Sequence, residues 1–234
     1  MERAPWFVAA ALGLSLAVVI LLAGPLVLFN PAFTSLLQER HGVAQAFGVP
    51  QEEVERVTSE ILVDLFTDGD FDSRFFENLE SSDIPLAPQL TRELLNERER
   101  SHMHDVARLV RLLAISVVVA AIVAVVSAAR MRREPRRVGA VMLRTASVIG
   151  AAALALALTF AIAFEPAFLA FHAVFFPPGT FLFEPGSNLI TLFPEGFWFD
   201  ASLAAGATII LSALIVALIG YRLWRGSPQT PLPA

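Results

Sequence analysis

The sequence predicts an all-α integral membrane protein with four transmembrane helices and both termini in the cytoplasm. Three observations lead there. Hydrophobic residues make up 56% of the 234 residues, mean hydropathy is +0.63 and charged residues are only 17%, against about 25% in an ordinary soluble domain. The apolar residues gather into four runs free of Asp and Glu, at about 6–29, 106–129, 138–164 and 201–223. Each reaches the roughly 20 residues that a span requires, and none alternates as a barrel strand would. The arginines sit asymmetrically between the runs, which fixes the orientation.

The first run, Trp6 to Phe29, is 24 residues long. A signal peptide has an apolar core of about 7–15 residues and a small-residue cleavage site. This run exceeds that core, and no such site follows it, so it reads as a retained anchor. The second run starts between Val106 and Leu112 and ends at Ala129. The loop that follows, Arg130 to Arg137, holds five arginines, while residues 165–200 hold none. Positive charge stays on the cytoplasmic side. The loop 130–137 is therefore expected inside, with 30–105 and 165–200 outside. Trp6, Tyr221 and Trp224 fit an inner aromatic belt and Trp198 an outer one. Arg98, Arg100, Arg108 and Arg111 sit near the outer end of the second helix. Arg108 and Arg111 either snorkel to the headgroups or line a polar cavity. The tail, 226–234, is short and Pro-rich and reads as disordered.

Composition also excludes chemistry. A net charge of −5 and a pI near 5.4 speak against a nucleic-acid partner. There is no cysteine, so a disulfide framework, a thiolate metal site and a cysteine nucleophile are all ruled out. All 17 basic residues are arginine, so no lysine can act as a base or form a Schiff base.

The segment 30–105 carries 16 acids and 6 arginines. Gln51 to Phe66 reads as a helix, with Val54, Val57, Ile61, Leu62 and Leu65 on one stripe and Pro50 ahead of it. Thr67 to Asp72 superficially resembles a calcium loop but lacks the 12-residue ligand pattern, so it reads as a solvated acidic turn. After Pro85 and Pro88 a second helix is expected near Thr91, running into the second span. Residues 160–199 hold 11 of the 19 phenylalanines. Prolines at 166, 177, 178, 185 and 194 break this stretch repeatedly, and no continuous helix is expected after about Phe176. Such a loop suits either an interfacial anchor or a wall for an acyl chain.

Four histidines occur, at 41, 102, 104 and 172. On a helix, Glu99, His102 and Asp105 are neighbours along one side, and a carboxylate there would fix the imidazole tautomer. His102 and His104 are about 200° apart, so they face opposite ways. His172 falls at the outer end of the third helix among phenylalanines. Ionisable groups at membrane depth are candidates for function. The topology brings His102 and His172 to one level, which fits a functional site or a structural histidine pair. His102, Asp105 and His172 could in number supply a metal site, but no zinc-protease signature accompanies them.

The run Glu99-Arg100-Ser101-His102-Met103-His104-Asp105-Val106 resembles an E-x-x-H-M-x-D-V motif. Phe171 to Phe176 resembles F-H-x-x-F-F, and Asn188 to Asp200 contains a block similar to L-I-x-L-F-P-x-x-F-W/F-x-D. In this order, on four helices with a long first external segment, they resemble the bacterial lipoprotein intramolecular transacylase family. That resemblance implies an acyltransferase of the cell membrane with its active site on the extracytoplasmic face. Its substrate would be a diacylglyceryl-modified lipoprotein, whose sn-2 acyl chain moves to the α-amino group of its N-terminal cysteine. It implies His102 and His172 as the catalytic residues. Of the pair, His102, with carboxylate neighbours, is expected as base and His172 as donor. Asp105, Glu99, Arg108 and Asn188 are expected in support, with Arg108 or Asn188 at the oxyanion. No cofactor and no metal are implied; ester to amide runs downhill, so no nucleotide is needed. Membrane lipids are the other expected contact, and nothing in the sequence specifies an oligomeric state. The alternatives are a non-catalytic membrane protein binding a partner or ion through its acidic segment, and an outer-face ester hydrolase.

Overall fold

The computed structural model describes residues 3–76 and 93–226. Among them are nine α-helices and no strand. In chain order these are α1 (Trp6–Leu26), α2 (Pro31–Arg40), α3 (Val43–Phe47), α4 (Gln51–Thr67), α5 (Glu97–Arg130), α6 (Pro135–Ile162), α7 (Phe164–Phe175), α8 (Asn188–Leu192) and α9 (Glu195–Gly226). Four segments are long and apolar enough to cross a membrane: Trp6–Phe29, Glu97–Arg130, Pro135–Ile162 and Glu195–Gly226. The protein is a multi-pass membrane protein.

Two boundaries differ from expectation, and local chemistry explains both. The helix expected from near Thr91 begins, within the described residues, at Glu97, while Thr91 itself lies outside them. The Asn96 side chain accepts from the Glu99 N–H at 3.0 Å, and the Glu99 carboxylate accepts from the Asn96 N–H at 2.8 Å. This reciprocal capping box satisfies two donors that a helix start would otherwise orphan. Likewise the third helix stops at Ile162, where Ala163 leaves helical geometry (φ −135°, ψ 58°). Pro166 has no N–H to return to the Ile162 carbonyl. α7 is therefore a separate helix, and His172 lies on it rather than at the end of the third span. The expected disordered tail lies, beyond Gly226, outside the described residues.

The chain divides into two compact units. One comprises 3–25, 114–158 and 204–226 of the described residues. Its helices meet through small residues. A Cβ on Gly139 would stand 2.6 Å from the Trp224 backbone nitrogen, and one on Gly220 would stand 2.9 Å from the Gly139 oxygen. This close approach of α6 and α9 suits helices in lipid, where van der Waals packing, not burial from water, drives association. Ile115, Val118, Val125, Leu156, Leu211 and Leu214 are more than half exposed, a surface fit for hydrocarbon. The chain start is tied down at the α5–α6 connection. Glu134 accepts from the Ala4 N–H and Arg137 donates to the Ala4 carbonyl, both at 2.6 Å.

The other unit comprises 26–76, 93–113 and 159–203 of the described residues. It has a conventional core, in which Val54, Val57 and Ile61 of α4 pack with Leu95, with Met103 and Ala107 of α5, and with Leu192 of α8. Gln38, fully buried, accepts from the Thr58 hydroxyl at 3.0 Å and donates to the Leu192 carbonyl at 3.1 Å, so its amide is paired as burial demands. The acidic turn after α4 is organised from within. Asp68 caps α4 in the left-handed region (φ 65°), and the Asp64 carboxylate accepts from the Phe71 N–H at 3.1 Å.

Candidate active site

Within the second unit, α5 and α7 each present one histidine. The rings of His102 and His172 stack with centroids 6.3 Å apart and planes 25° apart. His102 is 7% exposed. Phe176 touches both rings, at 4.9 Å from His102 and 5.5 Å from His172. Phe183 stands 5.5 Å from His102. Phe181 lies 5.3 Å and Phe168 4.1 Å from His172. The aromatic loop is thus the wall of the histidine site.

The two imidazoles are held differently. His172 Nδ1 lies 2.8 Å from the Phe168 carbonyl oxygen, one turn back on α7. A carbonyl only accepts, so Nδ1 carries the hydrogen and the neutral ring offers its lone pair at Nε2. Burial pushes the His172 pKa below its ordinary value, and the Phe168 bond opposes that shift. His102 Nδ1 is buried and has no hydrogen-bond partner among the described residues. Such orphaned nitrogens are rare in folded proteins and call for a reason.

No hydrogen bond joins Glu99 or Asp105 to His102, although the Asp105 charge lies near enough to act on the ring. Glu99 is 1% exposed and is spent on backbone, accepting from Asn96 N–H and, with its other oxygen, from Leu189 N–H at 3.0 Å. It ties the start of α5 to α8. Asp105 pairs with Arg108 at 2.9 Å. That pairing takes Arg108, whose side chain is 72% exposed, toward solvent. Asn188 donates to the Leu94 carbonyl at 2.6 Å, again joining α8 to the approach to α5. The four supporting residues are therefore engaged in building and capping, not in contacts with the imidazoles. Arg111 pairs through Nη2 with Asp68 at 2.7 Å, while its buried Nη1 has no hydrogen-bond partner among the described residues.

The other histidines lie apart from the pair. His104 packs edge-on against Phe71 at 5.1 Å, on the opposite side of α5 from His102. His41 bonds Asp200 at 2.9 Å. Among the described residues no group of three or more His, Asp or Glu is disposed to hold a metal ion.

Two features escaped the sequence reading. The Asn96-x-x-Glu99 capping box was visible as a signature, but Glu99 had been read as a partner of His102. Arg98 donates to the carbonyls of Gly179 and Leu182, 81 and 84 residues away, and no local pattern announces such contacts.

The family model for the lipoprotein intramolecular transacylase Lit matches residues 9–198. No curated protein matches the sequence. The crystallised membrane-integral lipoprotein intramolecular transacylase Lit from Bacillus cereus superposes with a TM-score of 0.76 at 17% identity, over 94% of this chain and 95% of that one. Two forms of that protein with one histidine replaced, by arginine or by alanine, superpose with TM-scores of 0.70 at 16% identity. They match over 94% of this chain and 92% and 93% of theirs. At such identity the likeness is one of fold. The sequence match is the stronger finding: it runs from the first membrane helix to the start of α9, and the chain belongs to the lipoprotein intramolecular transacylase family.

Proposed function

We propose that this chain moves the sn-2 acyl chain of a diacylglyceryl-modified lipoprotein onto the α-amino group of that lipoprotein's own N-terminal cysteine. The product is a lyso-form, N-acylated lipoprotein. The observation that carries the reading is the stacked His102–His172 pair, 6.3 Å between centroids, inside a wall of phenylalanine. Family membership supplies the enzyme class and the class of substrate. In this reading both termini are cytoplasmic and the pair works at the outer face of the cell membrane. The support is the five arginines in 130–137 against none in 165–200.

The chemistry follows from what each ring can do. The nucleophile is an amine whose ordinary pKa is about 7.7–8.0. His172 Nε2, with its hydrogen already committed at Nδ1, takes a proton from the attacking amine. His102 offers an imidazole N–H to the oxyanion. His172 then returns the proton to the glyceryl oxygen as the ester C–O bond breaks and the amide C–N bond is complete. One proton is shuttled and neither ring ends charged, which suits apolar surroundings. This reverses the roles expected from the sequence, because the carboxylates that argued for His102 as base are bonded elsewhere. Amine and ester reside in one substrate, so proximity is built in. No cofactor enters.

Mass spectrometry of lipoprotein N-termini, in a host lacking its usual N-acyltransferase, tests the reading. Expression of this chain should yield lyso-form N-acyl peptides. Free fatty acid with an unmodified amine would mean hydrolysis, and unchanged diacylglyceryl peptides would mean a binding role; either result overturns it.

A further inference from the structure

The connection between α7 and α8 runs across both histidines. It contains two turns, closed by Thr180 N–H to the Pro177 carbonyl at 3.3 Å and by Ser187 N–H to the Glu184 carbonyl at 3.0 Å. Each turn includes a glycine in the left-handed region, Gly179 at φ 82° and Gly186 at φ 87°, and a Cβ on either would meet nothing within 4 Å. Between the turns, Phe181 lies against His172 and Phe183 against His102. Among the described residues, Arg98 is the one side chain outside the segment Pro177–Gly186 that hydrogen-bonds it. Its Nη2 donates to the Gly179 carbonyl at 2.9 Å and to the Leu182 carbonyl at 2.7 Å, and its guanidinium lies 5.5 Å from the Phe183 ring centroid. Arg98 is exposed and sits one turn before His102 on α5.

We infer that Arg98 is a positioning residue that latches the segment Pro177–Gly186 over the two histidines, so that the acyl group passes to the substrate amine and not to water; this rests on the transacylase reading above. The substrate ester needs His172 Nε2, and Phe181 and Phe183 cover the rings, so the segment opens to admit substrate and closes for reaction. The left-handed glycines, free of steric neighbours, absorb the backbone change. The competition is chemical. Attack by the amine forms C–N, breaks the ester C–O and leaves the amine proton on the glyceryl oxygen. Attack by water breaks the same bond and likewise protonates the glyceryl oxygen, but releases free fatty acid. Both nucleophiles use the same base, so only exclusion of water separates them. Arginine suits the latch because the two hydrogens of Nη2 reach two carbonyls while the planar guanidinium lies over a ring.

The test uses the full chain in proteoliposomes, with wild type, Arg98→Ala and Arg98→Lys. The chain has no native cysteine, so Phe183→Cys, placed in each background, reports segment opening through its rate of thiol modification. Without that cysteine, the ratio of free fatty acid to N-acyl peptide is measured on a diacylglyceryl lipopeptide. Arg98→Ala should raise the labelling rate severalfold and the ratio about tenfold. Arg98→Lys keeps the charge but not the fork, should fall between, and serves where the alanine variant does not fold. An unchanged labelling rate in Arg98→Ala, or in Arg98→Lys where only that variant folds, overturns the latch. Both products falling together at constant ratio overturns the role in excluding water. Should wild type form no N-acyl product, the proposed function fails while the labelling rate still decides the latch.

Discussion

His41 and the His102–His172 pair lie in the same unit and teach different lessons. His41, at the end of α2, bonds Asp200 at 2.9 Å, and Arg40 joins the same carboxylate at 3.3 Å. Its ring packs on Gly196, where a Cβ would come within 2.6 Å of it. The cluster clamps the start of α9 and has a charged partner in place. The pair on α5 and α7 has the opposite character. Among the described residues His102 Nδ1 has no hydrogen-bond partner, and the rings around it are two phenyls and the His172 imidazole. A polar group with a partner holds a fold together, whereas one buried without a partner costs stability and is retained for another reason. The contrast sets His102 apart from His41, and the mechanism proposed above uses that ring beside His172.

The largest expected effect sharpens that contrast. His102→Ala and His172→Ala should each lower lyso-product formation by about 10²–10⁴-fold while the protein remains folded, in line with the usual worth of proton transfer. His41→Ala should keep the rate and lose about 1–3 kcal/mol of stability, because it leaves Asp200 short of a partner. N-terminal mass spectrometry and thermal unfolding in detergent read the two quantities. A folded His172→Ala with wild-type rate would remove that ring from the mechanism.

The next effect is one of pH. The His172 pKa lies below the ordinary value near 6.5 because burial disfavours the imidazolium. The substrate amine loses its nucleophilic form below about 8. The logarithm of the rate should therefore fall with slope one from about pH 8 and steepen to slope two only below about 6.5. Steepening at higher pH would contradict the burial of this ring. The stability sign agrees: the unfolded chain binds the proton more readily, so the contribution of neutral His172 is present above about 6.5 and is lost as pH falls.

The smallest effects separate Glu99 from Asp105. Glu99→Ala should destabilise by about 1–3 kcal/mol for each of the two backbone N–H groups it orphans. Asp105→Asn removes only a pair with an arginine whose side chain is 72% exposed, so it should change stability by less than about 1 kcal/mol and leave the rate alone. Equal effects from the two substitutions would show that Asp105 has a task near His102 that the Arg108 pair does not describe.

Much was legible in the residues themselves. Four apolar runs specify helices because lipid offers no partner for a free backbone group, so composition and length alone dictate that structure. The stripe Val54, Val57, Ile61 and Leu65 specifies α4 and its buried face because helix geometry repeats every 3.6 residues. The motifs marked His102 and His172. Tertiary structure decided what each polar group does. Glu99 and Asp105 stand where either could reach His102, yet Leu189 N–H, 90 residues away, claims the first and Arg108 the second. The Phe168 carbonyl, one turn back on α7, sets which His172 nitrogen holds the hydrogen, a local contact that any continuous helix would also offer. The grip of Arg98 on the Phe-rich connection depends on chain segments more than 80 residues apart meeting in space. Periodicity and composition are local properties, whereas the partner of a donor or acceptor is chosen among all groups that folding brings within about 3 Å.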